Sequence, residues 1–194
     1  MSHAASIAIE TDPDLVGLAE ARAKARQARA AFAAFQGADQ ARIDRIVRAM
    51  AEAGTQAARE LARLAVDETG YGVFEDKILK NLYNTKFVAA SMLRQRTVGV
   101  LWVDEANRMT AVGAPMGVIA GIIPVTNPTS TVLFKCLAAV KSGNAIVCAP
   151  HPRAARCCAR AAEVLADAAV KAGAPPGLVW CLEHVSLEAT QEWN

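Results

Sequence analysis

The sequence predicts an α/β protein in which N-terminal helices and a β-hairpin precede the first half of a Rossmann-like, doubly wound parallel sheet. Two features of the hydrophobic pattern support this prediction. Up to about residue 97, apolar residues recur every three or four positions, which is helical spacing. After residue 97, short β-branched runs alternate with helical stretches, and that alternation is typical of right-handed βαβ units.

Three helices are predicted before residue 97. The first begins at Thr11-Asp12-Pro13, where capping side chains precede a proline, and ends at Gly37. The second begins at Asp39 and is ended by Gly70 and Gly72, and the third covers residues 73–92. The first two helices are rich in arginine. A solvated helix face accounts for this charge, and a docking surface for a partner is the alternative.

The hairpin and the parallel strands follow in order. Strands at 98–103 and 108–114 are joined by a turn at 104–107. Further strands are predicted at 117–123, 145–149 and 178–182, with helices at 129–141, 153–171 and from 186 to 192. Ser142-Gly143-Asn144 ends the first of these helices. Because residues 117–123 are almost all apolar, we expect that strand to be covered on both faces.

Composition excludes several classes of function. Of the 194 residues, 53% are hydrophobic and 21% charged, and the net charge is +2. This balance gives no reason to expect nucleic acid or a membrane as a partner. The longest apolar run, residues 118–125, is too short to span a bilayer. Five cysteines without a C-x-x-C pair favour a reducing, cytoplasmic location over a disulfide framework, and no metal site is predicted.

The loop after the strand at 117–123 is the first candidate site. Open α/β sheets bind ligands at the carboxyl ends of their strands, which is where this loop lies. The amide of Asn127 could stabilise an oxyanion. From local chemistry alone, an Asx-type turn before Pro128 is the favoured alternative. Neither a G-x-G-x-x-G fingerprint nor a P-loop occurs in the sequence.

Several motifs together carry a family resemblance. They are Pro-x-Thr-Asn-Pro-Thr-Ser at 124–130, Pro-His-Pro-Arg at 150–153, Glu-Thr-Gly-Tyr-Gly at 68–72 with Glu-Asp-Lys at 75–77, and Ser-Gly-Asn at 142–144. In these pieces the chain resembles the aldehyde dehydrogenase superfamily. It is most similar to the CoA-acylating branch, which includes acetaldehyde and sulfoacetaldehyde dehydrogenases and the aldehyde half of bifunctional aldehyde–alcohol dehydrogenases.

The resemblance implies NAD-dependent oxidation of a small aldehyde to an acyl-CoA. In such a reaction a cysteine thiolate attacks the aldehyde, and the resulting thioester passes to CoA. Asn127 matches the asparagine that donates to the oxyanion, which reverses the local preference for a turn. The resemblance places one loop along the nicotinamide and its ribose, formed by Ile123, Pro124, Val125 and Thr126. It places a second loop near the adenosine ribose, formed by Pro150, His151 and Pro152.

Two details of the second loop leave alternatives open. Ala149 stands where hydrolytic members usually carry a lysine that binds the ribose, so His151 could supply a donor instead. A helix-capping role is the competing interpretation of His151. Arg153, Arg156 and Arg160 could face a cofactor phosphate, but a solvated helix face is favoured.

The resemblance also implies an organisation for the whole chain. Residues 1–97 would pack on the cofactor domain, 98–114 would form an oligomerisation-type hairpin, and 115–194 would be the first half of the NAD-binding domain. A homo-oligomer is expected for the full-length family member. None of the five cysteines lies in a matching motif, so we expect all five to be apolar core or helix-surface residues.

We further expect the chain to stop before the nucleophilic cysteine and before the helix that receives the pyrophosphate. Alone it should therefore be inactive, with the strand at 117–123 left as an apolar edge. The alternative function is a non-catalytic interaction module or subunit fragment that docks on a full-length partner.

Overall fold

The fold is known from a computed structural model that describes residues 12–185, so the helix predicted at 186–192 lies outside it. The α-helices are α1 (Pro13–Phe35), α2 (Gln40–Gln56), α3 (Ala58–Thr69), α4 (Phe74–Leu82), α5 (Ala89–Leu93), α6 (Pro128–Lys141) and α7 (Ala155–Lys171). A π-helical stretch, Tyr83–Val88, joins α4 to α5, and a 3-10 turn, Pro152–Ala154, precedes α7. The strands are β1 (Gly99–Asp104), β2 (Met109–Gly113), β3 (Val118–Ile123), β4 (Ala145–Pro150) and β5 (Val179–Cys181).

The helix boundaries follow local capping chemistry. The Asp12 carboxylate accepts a hydrogen bond from the backbone N–H of Asp14 (2.9 Å), and Asp39 does the same for Arg42 (2.8 Å). Gly70 ends α3 with a left-handed φ of 70°, and Gly143 ends α6 with a φ of 75°. These starts and stops confirm the predicted capping residues.

Two predicted helices are interrupted. The second divides at Ala57, where α2 ends and α3 begins one residue later. Just before this break, α2 lies close to its neighbours at Gly54. A Cβ atom there would lie only 2.8 Å from Thr85 Cγ2 and 3.0 Å from Leu133 Cδ2. The third predicted helix contains the π-helical stretch, an insertion that often occurs at functional sites.

A parallel sheet with strand order β3-β4-β5 forms the centre of the molecule, as predicted. All six residues of β4 are buried. Helices α6 and α7 connect the parallel strands and pack against each other and against the sheet, as right-handed crossovers on one face require. Helix α1 contacts all three strands, so it covers the opposite face, while α2 packs behind α6 and α7.

Strand β3 lies at the edge of the sheet as far as the described residues extend, which confirms the expected apolar edge. The expectation that both of its faces would be covered is wrong. Val118 is 38% exposed and Ile122 is 53% exposed although both α6 and α1 contact β3, since within the described residues the strand has a neighbouring strand on one side only. Lys135 Nζ donates to the Ile122 carbonyl (2.6 Å) and satisfies one edge acceptor.

The predicted hairpin is present as the antiparallel pair β1–β2, with a register shift between Val100 and Trp102. The carboxylate of Asp104 accepts from the backbone and side-chain amides of Asn107 and shapes the turn. Most of the large apolar side chains of the hairpin are exposed, namely Val100, Leu101, Trp102, Val103, Met109 and Val112. Between residues 12 and 185, no helix is long and apolar enough to cross a membrane.

Candidate functional site

The two predicted cofactor loops lie side by side at the carboxyl end of the parallel sheet. Ile123, the last residue of β3, pairs in register with Pro150, the last residue of β4. The backbone N–H of His151 donates to the Ile123 carbonyl (3.0 Å) and links the two loops directly. This is the position where ligands bind in open α/β sheets.

The loop residues differ in what a ligand could reach. Ile123 and Pro150 are buried, so they fix the loops from beneath. The reachable side chains follow the strands, and they are Pro124, Val125, Thr126, His151 and Pro152. Together they form a neutral surface with apolar and hydroxyl groups, which suits the ring and sugar of a nucleotide better than its phosphates.

Asn127 is the N-cap residue of α6, but its side chain does not cap the helix. Its carbonyl oxygen accepts from the backbone N–H and the hydroxyl of Thr131 (3.1 and 2.6 Å). Its side-chain Oδ1 instead accepts from Lys80 Nζ (3.0 Å). The Asx-type turn favoured by local chemistry is therefore absent. Among the described residues, the side-chain NH₂ has no hydrogen-bond partner, and Asn127 is half-buried.

His151 caps the 3-10 turn that precedes α7. Its Nδ1 accepts from the backbone N–H of Arg153 (3.1 Å). A ring nitrogen that accepts carries no proton, so in the neutral ring the proton sits on Nε2. The capping contact thus leaves His151 with one exposed donor, and the two interpretations of this residue are compatible.

The N-terminus of α7 is filled by a side chain of the protein itself. The Glu68 carboxylate accepts from the backbone N–H groups of Arg156 (2.9 Å) and Cys157 (2.7 Å). A helix N-terminus attracts anions, and here the anion is Glu68. A cofactor phosphate therefore cannot occupy this helix end.

The three arginines of this region are engaged with protein groups. Arg153 Nη2 donates to the Thr69 carbonyl (3.2 Å), and Arg156 lies beside Glu68. The guanidinium of Arg160 pairs with Glu60 and Glu163, both at 2.8 Å. The phosphate-facing interpretation is not supported. The side chains of Arg156 and Arg160 are 86% and 41% exposed, so they fit the favoured solvated face, on which they also form ion pairs.

All five cysteines are buried, which confirms that they are core residues. The contact with Cys136, whose Sγ lies 3.7 Å away, and burial raise the pKa of Cys148. The contact with Cys157 and burial raise the pKa of Cys158, and burial raises that of Cys181. A raised pKa keeps a thiol protonated and unreactive. The part of the chain described here also contains no cluster of three or more His, Cys, Asp or Glu that could hold a metal ion.

Sequence reasoning missed a row of polar side chains that supports the candidate loop. Four hydrogen bonds of 2.8 to 3.1 Å connect this row to the loop. They join Lys77 to Thr126, Lys80 to Asn127, Asn81 to Thr129 and Asn84 to Ser130. Their spacing of three, four and seven places them on one helical face. A polar stripe at that spacing was the available signal, although it resembles an ordinary solvated face.

The fold and the loops together place the chain among open α/β proteins, in which the carboxyl end of a parallel sheet is the usual ligand-binding position. The chain belongs to the aldehyde dehydrogenase family, whose profile matches residues 12–192.

Individual relatives agree with this assignment. The chain is 37% identical over 182 residues to the bifunctional aldehyde-alcohol dehydrogenase of Escherichia coli strain K12, covering 94% of this chain and 20% of that protein. It is 40% identical over 173 residues to the acylating sulfoacetaldehyde dehydrogenase of Cupriavidus necator, covering 88% and 34%. The structure of an acetylating aldehyde dehydrogenase from Geobacillus thermoglucosidasius superposes with a TM-score of 0.92 at 47% identity, covering 94% of this chain and 40% of that one.

Proposed function

We propose that this chain supplies the oxyanion donor and the nicotinamide side of the cofactor surface in an enzyme that oxidises a small aldehyde to an acyl-CoA with NAD. The observation that carries the proposal is the amide of Asn127. Its NH₂ group is unpaired within the described residues, half-buried, and located beside a neutral surface at the carboxyl end of β3. The similarity to acylating dehydrogenases points to CoA as the acyl acceptor.

The residues of this chain would act on the carbonyl oxygen of the substrate. When a thiolate adds to the aldehyde carbon, negative charge develops on that oxygen, and the two N–H groups of Asn127 are suited to bind it. A bound NAD would supply the hydride-acceptor chemistry at the same carbon. Pro124, Val125 and Thr126 would lie along the nicotinamide and its ribose. His151 Nε2–H would donate to a hydroxyl of the adenosine ribose.

The test is a fusion enzyme, since this chain spans 40% of the Geobacillus relative. Residues 12–185 replace the matching segment of that relative, and NADH formation is followed with an aldehyde, NAD and CoA. We expect turnover, and we expect Asn127→Ala to lower kcat by about 100-fold or more, the loss typical of removing one oxyanion donor. The isosteric Asn127→Asp should be at least as damaging, because a carboxylate repels the oxyanion.

Gln56→Ala, at an exposed amide at the end of α2, is the control for this experiment and should leave kcat unchanged. Full kcat in the Asn127→Ala fusion would contradict the proposed role. A fusion that folds and binds NAD but shows no turnover would contradict the proposed activity.

We also propose the domain organisation and the oligomer implied by the family. Residues 1–97 pack on the cofactor domain, 115–194 form the first half of that domain, and the hairpin at 98–114 joins subunits. The support is the exposed apolar surface of the hairpin, which is unusual on a monomer. Light scattering after gel filtration should show an oligomer that Trp102→Glu dissociates. Phe87→Glu, which also changes an exposed aromatic residue, should not. A chain that is monomeric at all concentrations would argue against this proposal.

The same surface supports the second candidate function, a non-catalytic module that docks on a full-length partner. This alternative predicts that the untagged chain co-purifies with a tagged full-length acylating relative, and that Trp102→Glu abolishes the complex. A cytoplasmic location fits both functions, because five buried free thiols suit a reducing compartment.

A further inference from the structure

The polar row on α4 and the π-helical stretch holds the segment from Thr126 to Ser130 from one side. Asn84 Nδ2 donates to the Ser130 carbonyl (2.8 Å), and the Thr129 hydroxyl donates to Asn81 Oδ1 (3.1 Å). Asn81 is itself buried and anchored through its Nδ2 to the Ala58 carbonyl (3.0 Å). The start of α6 is therefore fixed to α4 by side chains whose own positions are restrained.

Lys77 fixes the backbone immediately before Asn127. Its Nζ donates to the Thr126 carbonyl (3.0 Å), and the residue is only 5% exposed. Burial, together with the nearby charge of Lys80, lowers the pKa of Lys77. Gly72 packs against the lysine stem, where a Cβ atom would lie 3.2 Å from Lys77 Cε. This contact and the φ of 80° at Gly72 favour glycine there.

Lys80 acts on the Asn127 side chain itself. An ammonium group has three donors and no acceptor, so the atom of Asn127 that faces Lys80 must be the oxygen Oδ1. Because the side-chain amide is planar, fixing Oδ1 also fixes the direction of the NH₂ group. An asparagine at an N-cap ordinarily turns its oxygen to the first backbone N–H groups of the helix, and here that capping bond is absent.

We propose that Lys80 is a positioning residue: it holds the oxygen of Asn127 so that the NH₂ group is the end presented to a bound oxyanion. Orienting the NH₂ group of Asn127 matters for the reaction only if Asn127 is the oxyanion donor, so the inference rests on the proposed function. The structural part, an amide held in one orientation by Lys80, stands apart from any turnover and is what the experiment measures.

The experiment is ¹⁵N NMR relaxation on the full 194-residue chain, with the Asn127 side-chain signals identified by their loss in Asn127→Asp. In the unchanged chain we expect a rigid Nδ2 with an order parameter of roughly 0.8. Lys80→Met keeps the length of the side chain and removes the donor. It should lower that order parameter below about 0.6 and shift both amide protons. Lys80→Arg, which again offers only donors, should restore the rigid signal.

Lys86→Met is the matched control, because Lys86 is an exposed lysine of the following π-helical stretch whose side chain forms no hydrogen bond or ion pair with the described residues. It should leave the Asn127 signals unchanged. The inference is overturned if Lys80→Met leaves the Nδ2 order parameter and shifts unchanged. It is also overturned if the backbone amides of residues 125–127 become mobile to the same extent, since Lys80 would then hold the whole loop. The NMR result stands whatever the fusion enzyme does, so failure of the proposed function remains separable.

Discussion

The carboxylate of Glu68 should contribute substantially to the stability of the fold, because it caps α7 from a different helix. It accepts two backbone N–H groups at 2.9 and 2.7 Å, and its side chain is only 11% exposed. Hydrogen bonds to a charged group contribute about 1.5–3 kcal/mol, whereas a neutral one contributes about 1 kcal/mol. Water can reach part of this helix end after truncation, since Arg156 is 86% exposed. We therefore expect Glu68→Ala to lower the free energy of unfolding by about 2–3 kcal/mol.

Urea unfolding followed by circular dichroism measures this difference. Glu68→Gln keeps one acceptor oxygen and loses the charge, so about 1 kcal/mol should be lost. For a chain of this size, 1 kcal/mol corresponds to roughly 2–4 °C in Tm, so Glu68→Ala should melt about 5–10 °C lower. Asp67→Ala is the control, because the Asp67 carboxylate is 61% exposed and its ion pair with Arg63 is long, at 3.9 Å. The reasoning is refuted if Glu68→Ala and Asp67→Ala both stay within about 0.5 kcal/mol of the unchanged chain.

Two further predictions concern charged groups away from the site. Asp44→Ala leaves the buried ammonium of Lys141 without its carboxylate partner (2.5 Å) and should lower the free energy of unfolding by about 3 kcal/mol. Lys141→Met should lower it by less. Urea unfolding that ranks the two variants the other way would contradict this prediction. Burial opposes ionisation of Glu20, but hydrogen bonds from Lys24 and two backbone N–H groups outweigh it and lower its pKa below 4.5. Its stabilising contribution is therefore present above about pH 4.5 and is lost as the pH falls through the folded-state pKa. The stability difference between the unchanged chain and Glu20→Gln should shrink over that range, and a difference independent of pH would count against this account.

The boundaries that the sequence predicted correctly depend on local chemistry. Asp12 and Asp39 cap the backbone within three residues, and Gly70 and Gly143 take left-handed conformations that end their helices. The break at Ala57 carries no such signal, because no side chain caps α3 there. The exposed face of β3 was also unpredictable from an apolar run, since exposure depends on which elements lie beside the strand.

The candidate site shows the same limit. The position of the loop ending at Asn127 followed from βαβ topology alone, because the carboxyl ends of parallel strands share one edge. The partner of its side chain did not, since Lys80 is 47 residues away and lies on another element. A lysine in a helical polar stripe is ordinarily solvated, and only the folded arrangement of α4 against α6 shows that this one has a fixed acceptor.

The motifs that carry the family resemblance are separate in sequence but joined in space. Glu68 caps α7 just after the Pro-His-Pro-Arg segment, and Arg153 of that segment returns a hydrogen bond to the Thr69 carbonyl. Gly72 of the same first motif packs on Lys77, which in turn holds the Thr126 carbonyl in the loop before Asn127. One set of contacts thus ties the turn after α3 to both loops at the carboxyl end of the sheet. These motif residues consequently serve to fix the two loops relative to each other, and other side chains of the loops are left free to meet a ligand.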